Sequence, residues 1–417
     1  MVARQRLLSK IEAIRKEHWD GASEYARYLA KLKANPSSST KGSEQLIRLG
    51  LLREAHGSVL REGTTWRILR TGLLSQRPAQ LEQRAGAMFV TVAICTFNRA
   101  ESLRRTLDSL AVMRVAGDLA WELIVVNNNS TDHTDAVIAE YRNRLPLRRE
   151  FEPLQGHSNA RNRAIAAARG EYIVWTDDDV IVGAGWLAAY AEAFRRWRDA
   201  AVFGGRIKPR YEPPVARWVA ESERVLGGPF AIRDFGDEVQ PLSVAECRIP
   251  YGANFAVRTA EQRVFRYDPD LGLAPDRRRY EDEVDVITRL LTSGTKGYWI
   301  PQAIVEHCIG RERQTVDYIA AFNEGWGETC AFRDADRTAS SSFWFGIPSR
   351  IWPRLVVWGL LYRLGRYVSP APFWVQCLQA YSYNRGKYRY WIQRRAESAK
   401  AYSGRCRFRR SRPPIPR

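Results

Sequence analysis

One stretch, Tyr172–Val182 (YIVWTDDDVIV), constrains this 417-residue chain more than any other. Tyr172, Ile173, Val174 and Trp175 have the composition of a buried strand. The strand ends abruptly in Asp177, Asp178 and Asp179. Three adjacent carboxylates repel one another, so a fold that carries them at the end of a buried strand needs a counter-charge there. A divalent cation supplies one, and hard oxygen ligands suit magnesium or manganese. The competing reading is a solvated acidic turn ahead of a helix that begins near Trp186. The surrounding sequence favours the first.

Met88–Phe97 (MFVTVAICTF) predicts a buried strand by its length and β-branched content. Asn98–Leu103 then opens a helix running to about Val112. Trp121–Val126 predicts a second strand, which ends in Asn127, Asn128, Asn129, Ser130, Thr131 and Asp132; a helix follows to about Tyr141. A third unit carries Gly156–Arg163 (GHSNARNR) into a helix over Ala164–Arg169 and then the aspartate strand. Alternating strands and helices predict a parallel sheet with helices on its faces. Polar signatures stand at the carboxyl ends of successive strands, where open α/β sheets bind ligands, so a nucleotide-type ligand is expected.

The formal net charge of +19 is unevenly placed. Met1–Ala87 holds 16 Lys+Arg against 8 Asp+Glu, and Trp344–Arg417 holds 16 against 1. The middle of the chain is therefore mildly acidic between two basic ends, which can meet anionic lipid, nucleic acid or an anionic polymer. Six scattered cysteines form no CxxC pair, which indicates neither a zinc site nor a disulfide framework and fits reduced thiols in the cytoplasm. The charged N-terminus lacks the apolar core of a signal peptide, and no apolar run approaches the length of a membrane span.

Five segments occur in a telling order: VAICTFNRAESLRRTLDSL, ELIVVNNNSTDHT, GHSNARNRAIAAARGEYIVWTDDD, IPYGANFAVR and YEDEVDVITRLLTSGTKGYWIPQAIVEH. Together they resemble the signatures of family 2 glycosyltransferases. The resemblance covers about Phe89–Gly310 and implies the GT-A fold, an α/β Rossmann-like, mixed but mainly parallel sheet with flanking helices. The expected organisation is a helical, basic N-terminal arm over 1–87, the catalytic domain over 88–315, and a helical, aromatic and basic C-terminal region over 316–417. Within the arm, Leu7–Leu32 and Glu44–Leu52 have helical spacing on either side of an Asn35–Ser43 linker.

The resemblance also implies roles. Thr96, Asn98 and Arg99 would line the nucleotide site; the alternative, helix capping by Asn98, is the weaker reading. Family members usually carry an Asp after the second strand to accept the N3–H of uracil. Here Asn127 and Asn128 stand there, and an amide oxygen accepts without charge. Asp132 can cap a helix without touching ligand. Arg161 would lie near the diphosphate. Asp177 and Asp179, with Asp178 between them, correspond to the DxD motif that holds the metal (Mn²⁺ or Mg²⁺) and the ribose. Gly252 and Asn254 would shape the donor-sugar pocket. His307 would complete the metal site; the alternative is a structural histidine. The general base would be one of two neighbours, Glu283 by the Arg289–Leu290 register or Asp282 by the literal E-D pair. Against this stands a plain acidic helix start, which the macrodipole favours anyway.

The implied activity is inverting, metal-dependent transfer from a nucleotide-sugar donor to a saccharide or lipid-linked acceptor hydroxyl, as in cell-surface polysaccharide or glycolipid synthesis. The alternative is a non-catalytic polyanion- or nucleic-acid-binding protein on a transferase-like fold, although no nucleic-acid motif is present. The tail from Phe343 interleaves aromatics with arginines. It reads either as an interfacial element on an anionic inner-membrane surface or as a helical pair packed on the catalytic domain. Arg405–Arg417 has the composition of an unfolded segment.

Overall fold

The computed structural model describes residues 61–62, 65–66, 88–115, 117, 119–335 and 342–409. The helices expected in the N-terminal arm lie outside the described residues. Of residues 1–87, only Arg61–Glu62, paired with Thr65–Trp66, are described.

From Met88 onward the chain builds a sheet of nine strands. Eight form its path: β1 Phe89–Thr96, β2 Ala120–Asn127, β3 Leu147–Phe151, β4 Tyr172–Thr176, β5 Val180–Val182, β6 Ala200–Tyr211, β7 Asn254–Arg258 and β8 Lys296–Ile309. The spatial order is β3-β2-β1-β4-β7-β6-β8-β5, with Gln240–Pro241 paired to β8. The strands β3, β2, β1 and β4 run parallel, as do β6 and β8, whereas β7 and β5 pair antiparallel with their neighbours. The sheet is thus mixed and mainly parallel, as expected.

Helices cover it: α1 Ala100–Ala111, α2 Thr134–Glu140, α3 His157–Ala167, α4 Trp186–Arg196 and α5 Asp282–Thr292. In α1 the apolar residues Ala100, Leu103, Leu107 and Leu110 recur at helical spacing and are buried, so one stripe of that helix seats on the sheet. β4 is buried along its whole length because β1 and β7 flank it.

Three differences from the expected elements matter. The third helix begins at His157 rather than Ala164, with Gly156 as its N-cap, so Arg161 sits inside a helix and on its buried face. The strand expected over Tyr298–Val305 is longer, running from Lys296 through His307 to Ile309. β3, with sequence LRREF, was not anticipated; it is an edge strand rich in charge, and its pattern carries no apolar alternation.

The C-terminal region is helical: α6 Val316–Arg333, α7 Ile351–Val368 and α8 Ala371–Arg409. α8 continues into the stretch whose composition read as unfolded. α6 and α8 approach to backbone contact: a Cβ on Gly327 would strike the Tyr383 carbonyl, and one on Gly386 the Glu324 carbonyl. The described residues of 88–244 and 248–409 form one compact unit, so α6 packs with the sheet domain across the boundary drawn at 315.

Candidate active site

The polar segments converge at the carboxyl ends of β1, β2 and β4, and they separate into two clusters. The first centres on the aspartates. Asp178 points inward, accepting from Thr96 Oγ1 at 2.7 Å and Arg99 Nη1 at 2.6 Å. Asp179 Oδ2 accepts from Arg99 Nη2 at 2.7 Å and Arg313 Nη2 at 2.6 Å. One guanidinium therefore bridges two adjacent carboxylates, and a second neutralises the outer one. Burial pushes Asp178 up to about 6, against the pull of Arg99. Burial acts on Asp179 in the same direction, but the neighbouring Arg99 and Arg313 guanidinium groups hold it well below the usual carboxylate range.

His307 is buried beside Asp179, its Nε2 3.3 Å from Asp179 Oδ2. Its Nδ1 lies 2.6 Å from the Phe230 carbonyl, and a carbonyl can only accept, so Nδ1 carries the hydrogen. Nε2 then presents a lone pair, which accepts from Arg313 Nη1 at 2.8 Å. An oriented imidazole whose other nitrogen is anchored is the usual form of a metal-ligating histidine. Asp179 Oδ1 is buried with no hydrogen-bond partner, which fits a cation at Asp179 and His307. Asp177 is one-third exposed and turns the other way, 3.9 Å from Arg161. Among the described residues no three potential metal ligands are assembled around one point. A cavity of about 800 Å³ opens beside Asp179, lined by Asn98, Arg99, Asp132, Tyr211 and Gly310 among others.

The second cluster lies at the start of α5. Asp282 is buried and receives Arg161 Nη1 at 3.2 Å and Ser158 Oγ at 3.4 Å, with His157 Nδ1 also 3.4 Å away. Burial raises such a group, but Arg161 and His157 outweigh it and keep Asp282 ionised, well below its ordinary value. Glu283 accepts the backbone N–H of Gly252 at 3.1 Å and lies 3.6 Å from Arg161. Burial, and then the charge of Asp282, push Glu283 up to about 7. The two neighbours thus have opposite characters: Asp282 is a locked anion, and Glu283 is a carboxyl poised to exchange a proton near neutrality. Arg161, expected near the diphosphate, is buried under this pair and against the rings of Trp175, Phe255 and Tyr267.

Gly252 is needed for close approach. A Cβ there would lie 2.5 Å from Arg161 Nη2 and 3.4 Å from the Glu283 carboxyl carbon. Gly252→Ala is expected to destabilise the protein by about 1–3 kcal/mol through overpacking. Thermal unfolding measures this; an unchanged Tm would show that Arg161 yields freely.

The four amides expected at the donor site are already bonded within the protein. Asn254 is fully buried; its amide donates to the Arg206 and Ala303 carbonyls and accepts from Trp186 and Tyr190. Asn127 ties Asp135 to the Ser130 N–H, and Asn128 ties the Glu152 and Leu154 carbonyls to the Gly156 N–H. These side chains brace the loops that form the site. Asn98, at φ 52°, does the same, accepting from the N–H of Thr131 at 2.7 Å. Asp132 accepts the first N–H of α1 and that of Thr134, the capping role expected of it.

Two contributions escaped sequence reading. Arg313, six residues beyond His307, is paired with both Asp179 and His307. Glu281, at φ 65°, starts α5, and its carboxylate accepts from Trp326 and Arg333 of α6, each at 2.8 Å. α6 therefore anchors the residue that precedes Asp282 and Glu283.

Residues 91–256 match the model of Glycosyl transferase family 2. This segment belongs to that family. The mixed, mainly parallel sheet is the GT-A arrangement the family implies. The chain is 25% identical over 250 residues to the Succinoglycan biosynthesis protein ExoM of Rhizobium meliloti, covering 58% of this chain and 74% of that one. It is 27% identical over 260 residues to the Pre-mycofactocin glycosyltransferase of Mycobacterium tuberculosis, covering 60% of this chain and 49% of that protein, about half its length. Among solved structures it is similar to the mannosyltransferase PcManGT of Pyrobaculum calidifontis, with TM-score 0.47 and 18% identity, over 71% of this chain and 85% of that one.

Proposed function

We propose that this glycosyltransferase is an inverting, metal-dependent enzyme that moves a sugar from a nucleotide-diphosphate donor to an acceptor hydroxyl. The observation that carries the reading is the division of labour between two carboxylate clusters: an ionised Asp179 beside His307, and a Glu283 raised to about 7 beside a locked Asp282. One cluster suits a leaving diphosphate and the other suits proton removal.

Glu283, once deprotonated, accepts the proton of the acceptor hydroxyl. The acceptor oxygen forms a bond to the anomeric carbon from the face opposite the nucleotide, and the bond from that carbon to the diphosphate oxygen breaks, its electron pair leaving with the diphosphate. Arg161 and Asp282 hold Glu283 in place, and Gly252 N–H orients it. Asp179 and His307, with Asp177 as a further candidate, would hold Mn²⁺ or Mg²⁺, which when bound supplies charge neutralisation to the departing diphosphate. Arg99 and Arg313 keep Asp178 and Asp179 paired, and their guanidinium groups suit phosphate oxygens. Thr96, Asn98, Asn127, Asn128 and Asn254 shape the donor side by bracing its loops. The acceptor class is a saccharide or lipid-linked hydroxyl, and the basic tail is proposed to attach the enzyme peripherally to an anionic membrane surface. Among the described residues no helix is long and apolar enough to cross a membrane.

Hydrolysis of a panel of nucleotide sugars, with manganese and with a chelator, tests this reading. Release of nucleoside diphosphate from at least one donor, lost on chelation, is the expected result. No release from any donor would favour a binding protein on this fold, and release unaffected by chelation would remove the metal.

A further inference from the structure

The helix α7 presents an apolar stripe on the side facing away from the protein. Val356, Leu360, Leu364 and Tyr367 recur at spacings of four, four and three, which places them on one face of the helix. They are 61%, 54%, 65% and 87% exposed. The opposite side is the packed one: Ile351, Trp358 and Gly365 are buried, and α7 lies along α8. The helix is therefore apolar on both sides, and only one side is used for folding. Scattered exposed apolar residues are ordinary, but a contiguous stripe marks an interaction surface.

The chemistry of its border identifies the occupant. Arg363 and Arg366 are exposed along one shoulder of the stripe, and α7 carries no acidic residue. In the whole stretch Trp344–Arg417 the single acid is Glu397, against 16 Lys+Arg. A second apolar element, the hairpin turn of Phe343–Trp344 and Ile347–Pro348, leaves Trp344 and Phe345 61% and 80% exposed. An apolar face with a cationic rim and exposed aromatics fits a helix lying in the plane of an anionic lipid surface, with its stripe in the acyl boundary and its arginines among the headgroups. A protein partner of ordinary composition would not require so one-sided a charge.

From this we infer that the α7 stripe is the membrane-docking face of the enzyme and that its partner is an anionic bilayer. The inference rests on the peripheral attachment proposed above and assigns it to particular residues. It places the transferase at a surface where lipid-linked acceptors are held, which raises their local concentration.

The test is flotation of the full chain with vesicles of neutral phosphatidylcholine, or of phosphatidylcholine mixed with anionic phosphatidylglycerol. Wild type is expected to float with the anionic vesicles only. The double variant Leu360→Asp/Leu364→Asp is expected to lower the bound fraction about tenfold or more, since charge is placed in the apolar face. Arg363→Gln/Arg366→Gln is expected to lower it less and to flatten its dependence on salt. Both pairs are exposed, and thermal unfolding of each variant confirms that the fold survives. If wild type floats with neither vesicle, attachment itself is wrong. If Leu360→Asp/Leu364→Asp floats as wild type does, attachment stands but the face is wrong. A wild-type dimer that the same variant converts to monomer, without flotation, would assign the stripe to a second copy. Donor hydrolysis, measured on the same preparations, tests the transferase reading separately.

Discussion

Replacing Glu283 by Gln is expected to lower glycosyl transfer by about 10²-fold or more, because the shape is kept and the proton acceptor is removed. Nucleoside diphosphate affinity is expected to stay unchanged, since Glu283 lies in the cluster away from Asp179. Asp282→Asn is expected to act differently. Asp282 is the buried counter-ion of Arg161, so the variant loses positioning and some stability rather than the proton acceptor. The pH profiles separate the two roles. A base works deprotonated, so kcat/KM in wild type rises with pH through about 7, where Glu283 gives up its proton, and is lost below it. Burial and the charge of Asp282 both raise Glu283; removing the second cause moves the rise in Asp282→Asn to lower pH. A near-normal rate for Glu283→Gln beside a dead Asp282→Asn would reverse the assignment. Near-normal rates for both would take this segment out of the mechanism.

Asp179→Ala is expected to abolish turnover and to remove the manganese-dependent part of nucleoside diphosphate binding, because the diphosphate loses its bridging cation. His307→Ala is expected to weaken the same increment less. The quantity to read is the difference between affinities with manganese and with chelator. Asp179 also neutralises Arg99 and Arg313, and freeing those guanidinium groups can strengthen metal-free phosphate binding. Calorimetric titration in both buffers resolves the two. An unchanged increment in Asp179→Ala would show that the cation is held elsewhere or not at all.

Much of this site was legible before any coordinates. The strand that ends in three aspartates, the two preceding strand–loop–helix units and the acidic start of α5 are local patterns, and each marks a strand end or a helix start by residue type alone. Their order along the chain implied a GT-A sheet with its polar ends together. The choice between Glu283 and Asp282 was posed by the sequence, with the Arg289–Leu290 register on one side and the E-D string on the other. The register points to Glu283, and Glu283 is the base proposed above.

Other properties depended on which groups the fold brings together. The resemblance implied a place near the diphosphate for Arg161; the helix starts at His157, and its buried face carries the guanidinium to Asp282, far along the chain. The resemblance implied donor-site roles for Asn127, Asn128 and Asn254, and their hydrogen bonds go to groups within the protein. Arg313 meets Asp179 only because β8 returns beside β5. Residue types and their order thus determined the kind of chemistry and the end of the sheet that bears it. The tertiary structure decided which polar groups are spent on one another and which face the reactants, because a hydrogen bond or ion pair depends on distance in space rather than separation in sequence.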